Sequence, residues 1–197
     1  HLSVGFALAD RESSQLAEDS SRYDFGRLAG PWNFDVFPIA SLAVKSVGWL
    51  DGPEMHFRRE YDDRWRRRVY SNSQWIAPPA TLLERFLTRR VLFRQRDPQA
   101  RGCHLAFHLH ELDQTFENPN SSHVTLEVLA TLSSAPLAKT IARRAFYIQQ
   151  SGPTPDAVGS VAATSEAAQL LSAGIDEWLS EIARKTPRIA TKCRIAG

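Results

Sequence analysis

Leu50-Asp51-Gly52-Pro53-Glu54-Met55, a charged stretch running to Arg68, Val69-Tyr70-Ser71-Asn72-Ser73-Gln74-Trp75-Ile76-Ala77-Pro78-Pro79 and then Leu82-Leu83 form the part of the chain whose reading decides the fold. Asp-Gly-Pro marks a turn, because Gly tolerates positive φ and Pro fixes φ near a turn value. Two extended segments follow, Met55 to Tyr61 and Arg68 to Trp75, with a polar bend at Asp62-Asp63 between them. Pro78-Pro79 then opens a helix, where a missing backbone N–H costs nothing. The stretch therefore reads turn, hairpin, helix, and it holds no catalytic apparatus.

Working outward, His1 to Arg22 is polar after a short apolar start and reads as a linker. Leu42 to Trp49 is a strand candidate whose small and apolar residues on both faces suit a central position. The helix after Pro78-Pro79 sets Leu82, Leu83, Phe86, Leu87, Val91 and Leu92 at helical spacing, with Arg85 and Arg89 on another face, and ends near Asp97-Pro98. Leu105, Phe107 and Leu109 then alternate with His104, His108 and His110 before the apolar phase slips to Leu112 and Phe116. Strand side chains repeat every two residues, so a slip of one predicts a bulge around Glu111. Glu117-Asn118-Pro119-Asn120 is a turn into the alternating strand Val124 to Leu132, and Lys139 to Gln149 forms a third strand. The closing helix is expected to start with Thr154 as N-cap and Pro155 at the first helical position. Its core stripe is Val161, Ala168, Leu171, Ile175, Trp178 and Ile182, and it stops before Lys185-Thr186-Pro187. The order β, ββ, α, βββ, α predicts an α+β two-layer sandwich, a mostly antiparallel sheet with two main helices on one face. The expected division is a linker over 1–22, one domain over 23–186 and a tail over 187–197.

At 197 residues, 43% hydrophobic and 23% charged, the chain has the composition of an ordinary globular protein with a sizeable core. A net charge of +2 gives no argument for nucleic acid. No apolar run approaches the roughly 20 residues of a membrane-spanning helix. A Gly-x-Ser-x-Gly elbow, a phosphate-binding loop and a Gly-x-Gly-x-x-Gly fingerprint are all missing, so the chain carries no motif of a nucleotide hydrolase. His104, His108 and His110 share one strand face, but neighbours two apart lie roughly 6–7 Å from each other, wide for a tetrahedral metal site. We expect no metal, no cofactor and no enzymatic activity, since one carboxylate without a paired acid or histidine makes no acid–base pair.

Five elements in order resemble the ABC-type transport auxiliary lipoproteins, the small partners of paraquat-inducible and Mla-type lipid transport systems in Gram-negative envelopes. They are Tyr23-Asp24-Phe25-Gly26; Leu50-Asp51-Gly52 with Met55 and Arg58; Tyr70, Trp75, Pro78-Pro79 and Leu82-Leu83; Asp113-Gln114-Thr115-Phe116 with Ser121-Ser122; and Pro153 with Pro155-Asp156-Ala157. Phe57 stands where the family usually has Tyr. The match runs from about Tyr23 to Ala183.

The resemblance implies a fold similar to the N-terminal domain of TolB. It also implies a signal and a lipidated cysteine upstream of His1, and a place in the periplasm at the outer membrane. The expected role is non-enzymatic docking onto the MCE-type lipid-binding component of a transporter whose permease and ATPase are other chains, with self-association left open. The alternative is a stand-alone envelope module for a lipid or small apolar ligand. In that oxidising compartment Cys103 and Cys193 are a candidate disulfide that would close a loop of about 90 residues; the alternative is one buried and one exposed thiol. An accessory docks through a surface, and the candidates are Trp49, Asp51, Arg58, Arg66, Arg67, Arg68, Trp75 and Phe116. The arginines also admit a second reading as a solvated, self-paired hairpin, because Glu54, Glu60, Asp62 and Asp63 are interleaved with them. Trp49 and Trp75 flank turns, where an aromatic either caps the sheet or meets a partner.

Overall fold

Residues 20–27, 38–94, 102–134 and 140–195 are described by the computed structural model. Strand β5, Cys103–Asn118, is the spine of a seven-stranded sheet. Along one edge it pairs antiparallel with β6, Ser121–Ser133, which pairs antiparallel with β7, Thr140–Ser151. Two shorter strands share its other edge, end to end and both parallel to it. Strand β2, Ile39–Ser46, takes Cys103 to Leu109, and β3, Glu54–Arg59, takes Gln114 to Phe116. Strand β4, Asp63–Trp75, returns antiparallel against β3, and β1, Ser21–Tyr23, adds parallel to its end. Most paired residues lie in the antiparallel ladders, and the domain is an α+β sandwich.

The predicted bulge is present. The β5–β6 register shifts between Leu109 and Glu111, at the level where β2 ends in the 3-10 turn Gly48–Leu50 and β3 has yet to begin. Val47 N–H still reaches the Leu109 carbonyl at 3.1 Å, and beyond it the edge passes to β3. The hairpin lies where the Asp-Gly-Pro turn puts it, with β4 starting at Asp63 rather than Arg68.

Strand β2 is not central: among the described residues it has a strand neighbour on one side alone. Its open edge lies beside helix α1, Pro79–Arg94, whose Glu84 accepts the Val44 N–H at 2.9 Å. Leu42 and Val44 are buried and Ala43 and Lys45 exposed, the alternation of a strand covered on one face. The predicted end of α1 near Asp97-Pro98 lies outside the described residues.

Helix α2, Ala157–Lys185, lays Ala163, Ala167, Ala168, Leu171, Ile175 and Trp178 on the same face of the sheet, with Phe146 edge-on to Trp178 at 6.3 Å. Its N-cap is Asp156, not Thr154. Asp156 Oδ1 accepts the Gly159 N–H at 2.8 Å and the Thr154 hydroxyl at 2.7 Å, so Thr154 holds the cap rather than forming it. A Cβ on Gly159 would lie 1.8 Å from the Thr154 carbonyl oxygen, which admits no other residue there. The segment after Thr186, expected as a tail, forms a third helix, α3, Pro187–Ile195. Proline is tolerated at a first helical position, so Pro187 ends α2 without preventing α3. Cys193 on α3 is bonded to Cys103 at the head of β5, with a Cα–Cα distance of 4.7 Å and both residues fully buried. No helix among the described residues is long and apolar enough to cross a membrane.

The closing contact of the domain is polar. Gln114, with no exposed surface, accepts the Tyr70 hydroxyl at 2.6 Å and donates to Ser122 Oγ at 2.8 Å and to the Asp156 carbonyl at 3.1 Å. One amide thus joins β4, β5, β6 and the start of α2 with both its N–H groups and its oxygen used. Burial, and then the nearby Asp156 carboxylate, push the Tyr70 phenol well above its ordinary pKa, so it stays a donor.

Two outcomes follow. Non-reducing peptide mapping will recover the Cys103 and Cys193 peptides linked, and a Cys103→Ala/Cys193→Ala variant will lose about 2–4 kcal/mol in urea unfolding. The Asp156 carboxyl is held below its ordinary pKa by the Thr154 and Gly159 hydrogen bonds. A depressed acid contributes stability above its unfolded pKa and loses it as pH falls through the folded one. Asp156→Ala will therefore cost about 1 kcal/mol at neutral pH, with the gap to wild type closing as the pH is taken below roughly 4.

Candidate docking face

The helices cover one face of the sheet, while Lys45, His110, Arg143 and Tyr147 on the other face remain exposed. The β3–β4 end of this face and the turn beside it carry the sequence-predicted surface, and the structure divides those residues into three groups.

Trp75 and Phe116 do not belong to any surface. Trp75 is 3% exposed, because β1 pairs Tyr23 beside it and sets Phe25 edge-on against its ring at 5.0 Å. Gly26, at φ +74°, then turns the chain away, and its N–H is taken by Asp24 at 2.8 Å. Phe116 is buried because β3 pairs with β5 here and packs Phe57 against it at 5.9 Å, with Tyr70 on the other side of Phe57 at 4.5 Å.

Arg58, Arg67 and Arg68 are committed within the chain. Arg67 makes a two-pronged contact with Glu111 at 2.9 and 2.6 Å. Arg58 donates to Asp113 at 2.7 Å and lies 3.5 Å from Glu111. Arg68 reaches Asp62 at 3.2 Å. The bulge sets Glu111 between the two arginines, so the slip in the β5 pattern positions the acid of this cluster. Burial and then the Glu111 charge push the Asp113 carboxyl up, and the Arg58 hydrogen bond pulls it back. Beside the cluster His56 is half-buried, and burial, then Arg67, hold its pKa down. The hairpin is thus largely self-paired, and Arg58 and Arg67 brace β3 and β4 against β5.

Trp49, Asp51 and Arg66 remain at the surface. Trp49 is 55% exposed on the 3-10 turn, with the Arg67 guanidinium 5.8 Å from its ring centre. Asp51 caps that turn and accepts the Ser46 hydroxyl at 3.3 Å. Arg66 is exposed and makes no ion pair among the described residues. Sequence reasoning missed Trp65, 84% exposed on β4. Its signal was there: Asp62-Asp63-Arg64-Trp65-Arg66-Arg67 surrounds one aromatic with charge, which no core strand does. Trp49, Tyr61, Trp65, Val69 and Ile76 are five of the eight large exposed hydrophobics among the described residues. Among the described residues, large exposed hydrophobics are therefore most frequent along this hairpin and its flanking turns.

The histidines of β5 engage near neighbours. His108 and His110 meet at 3.0 Å, which requires one ring nitrogen to donate and the other to accept, and His104 contacts Ser41. His123 pairs with Glu117. No group of three potential metal ligands occurs among the described residues.

No protein-family model and no curated protein matches the chain. Its fold does match solved structures. Protein XCC0632 from Xanthomonas campestris, assigned to the family model DUF330, superposes with a TM-score of 0.67 over 85% of this chain and 98% of that one, at 15% identity. A second crystal structure, of an uncharacterized protein, gives a TM-score of 0.59 over 81% of this chain and 98% of that one, at 13% identity. At these identities the likeness establishes the α+β fold across nearly the whole length of both relatives.

Proposed function

We propose that this chain is a non-enzymatic accessory lipoprotein domain of an ABC-type lipid transport system of the Gram-negative envelope. It docks the MCE-type component at the outer membrane through the β3–β4 hairpin and the adjoining turn, which expose Trp49, Trp65 and Arg66. The observation that carries the reading is the convergence of the family-like elements. Tyr70 of β4, Gln114 of β5, Ser122 of β6 and Asp156 at the N-cap of α2 form one hydrogen-bonded unit. Arg58 of the Leu-Asp-Gly element grips Asp113, and Phe25 of the Tyr-Asp-Phe-Gly element packs on Trp75. Chance matches scattered over such a length have no reason to bond one another, whereas residues kept together as a scaffold do. The disulfide between buried cysteines suits an oxidising compartment such as the periplasm.

In this reading the family-like residues build the scaffold and the docking residues are separate from them. In-cell crosslinking of the lipidated protein, followed by capture and mass spectrometry, will recover an MCE-type protein with its permease or ATPase. Trp65→Lys/Arg66→Glu will cut that recovery about tenfold without lowering the melting temperature, as expected for exposed anchors at an interface. Recovery of the protein alone, or only with lipid, contradicts the reading and favours an independent binding module.

A further inference from the structure

Helix α1 carries four arginines, Arg85, Arg89, Arg90 and Arg94, and one acid, Glu84. Glu84 accepts the Val44 N–H of β2 at 2.9 Å and makes no ion pair among the described residues. Arg85 and Arg89 stand one turn apart, both exposed and without an ion pair among the described residues. Arg27 joins them from a distant part of the chain. The left-handed turn at Gly26 brings it to the same place, and it too is exposed and unpaired among the described residues.

The three arginines line one cavity of about 350 Å³, together with Leu82 and the buried residues Phe25 and Phe86. Among the described residues Asp24 is the single carboxylate that lines it, and one of its oxygens already accepts the Gly26 N–H. Three guanidiniums against one carboxylate leave a surplus of two positive charges. The volume falls within the range of small-ligand sites. Guanidinium groups present forked donors that match the oxygens of a phosphate, and like charges gathered without a counter-ion repel until an anion arrives.

We infer that Arg27, Arg85 and Arg89 form a binding site for a phosphate group, carried either by a soluble phosphate compound or by a lipid headgroup. The site stands apart from the docking face and does not depend on the accessory role.

Calorimetric titration of the full chain with inorganic phosphate tests the site, alongside co-sedimentation with vesicles of phosphatidylcholine or of an equal phosphatidylcholine–phosphatidylglycerol mixture. Saturable phosphate binding that weakens about tenfold in Arg85→Gln/Arg89→Gln supports the inference. If the same variant also abolishes a preference for the mixed vesicles, the phosphate belongs to a lipid; if the two vesicles never differ, it belongs to a soluble compound. Arg27→Gln, outside the helix, will weaken phosphate binding in the same direction and guards against an effect of the helix substitutions on folding. The inference is overturned if phosphate does not bind, if the double variant binds as wild type, or if Arg188→Gln/Lys192→Gln on α3 weakens binding equally.

Discussion

The side chain of Gln114 is the contact on which the rest of the domain depends. It lies fully buried among mostly apolar inward residues of the sheet, so an unsatisfied amide there would cost more than a typical hydrogen bond returns. All of its partners come from other elements: Tyr70 from β4, Ser122 from β6 and Asp156 from the N-cap of α2. Each partner satisfies the amide only if its own element is in register. The polar contact therefore specifies an arrangement that apolar packing alone would leave looser.

A second polar device works on the outer face. The β5 bulge at Glu111 turns a carboxylate toward β3 and β4, and Arg58 and Arg67 close on it. These arginines hold the short parallel strand β3 where it succeeds β2 along the same edge. Pairing them with acids of the same chain removes most of the hairpin's charge from any partner's reach. What remains outward is aromatic, Trp49 and Trp65, with Arg66 between charges that are already satisfied. The division of labour is physical: Arg58, Arg67 and Glu111 fix the backbone, and Trp49, Trp65 and Arg66 meet the solvent.

Much of the architecture was legible in the sequence because it depends on local periodicity. The alternation of Leu105, Phe107 and Leu109, and its slip before Leu112, announced both the strand and its bulge. The stripe from Ala168 to Trp178 announced α2. Direction of pairing was not legible, since a strand's period says nothing about whether its neighbour runs parallel, and the shared edge of β2 and β3 escaped notice for that reason. Neither did local sequence separate Trp75 from Trp49. Both flank turns, and the burial of Trp75 is decided by Phe25, some fifty residues away in the chain. Thr154 and Asp156 are both good caps by residue type, and the close approach of Gly159 to the Thr154 carbonyl selects Asp156. Helix α3 was hidden by Pro187, which reads equally as a stop and as a start.

Native-state hydrogen exchange on Gln114→Leu tests the central claim most directly. Leucine keeps the volume and apolar packing but removes every polar bond of the side chain. If Gln114 couples the elements, protection will fall together in β4 around Tyr70, in β6 around Ser122 and in the first turn of α2, while the far end of α2 near Trp178 keeps its protection. Loss confined to β5 beside the substitution, with the start of α2 protected as in wild type, would contradict the account.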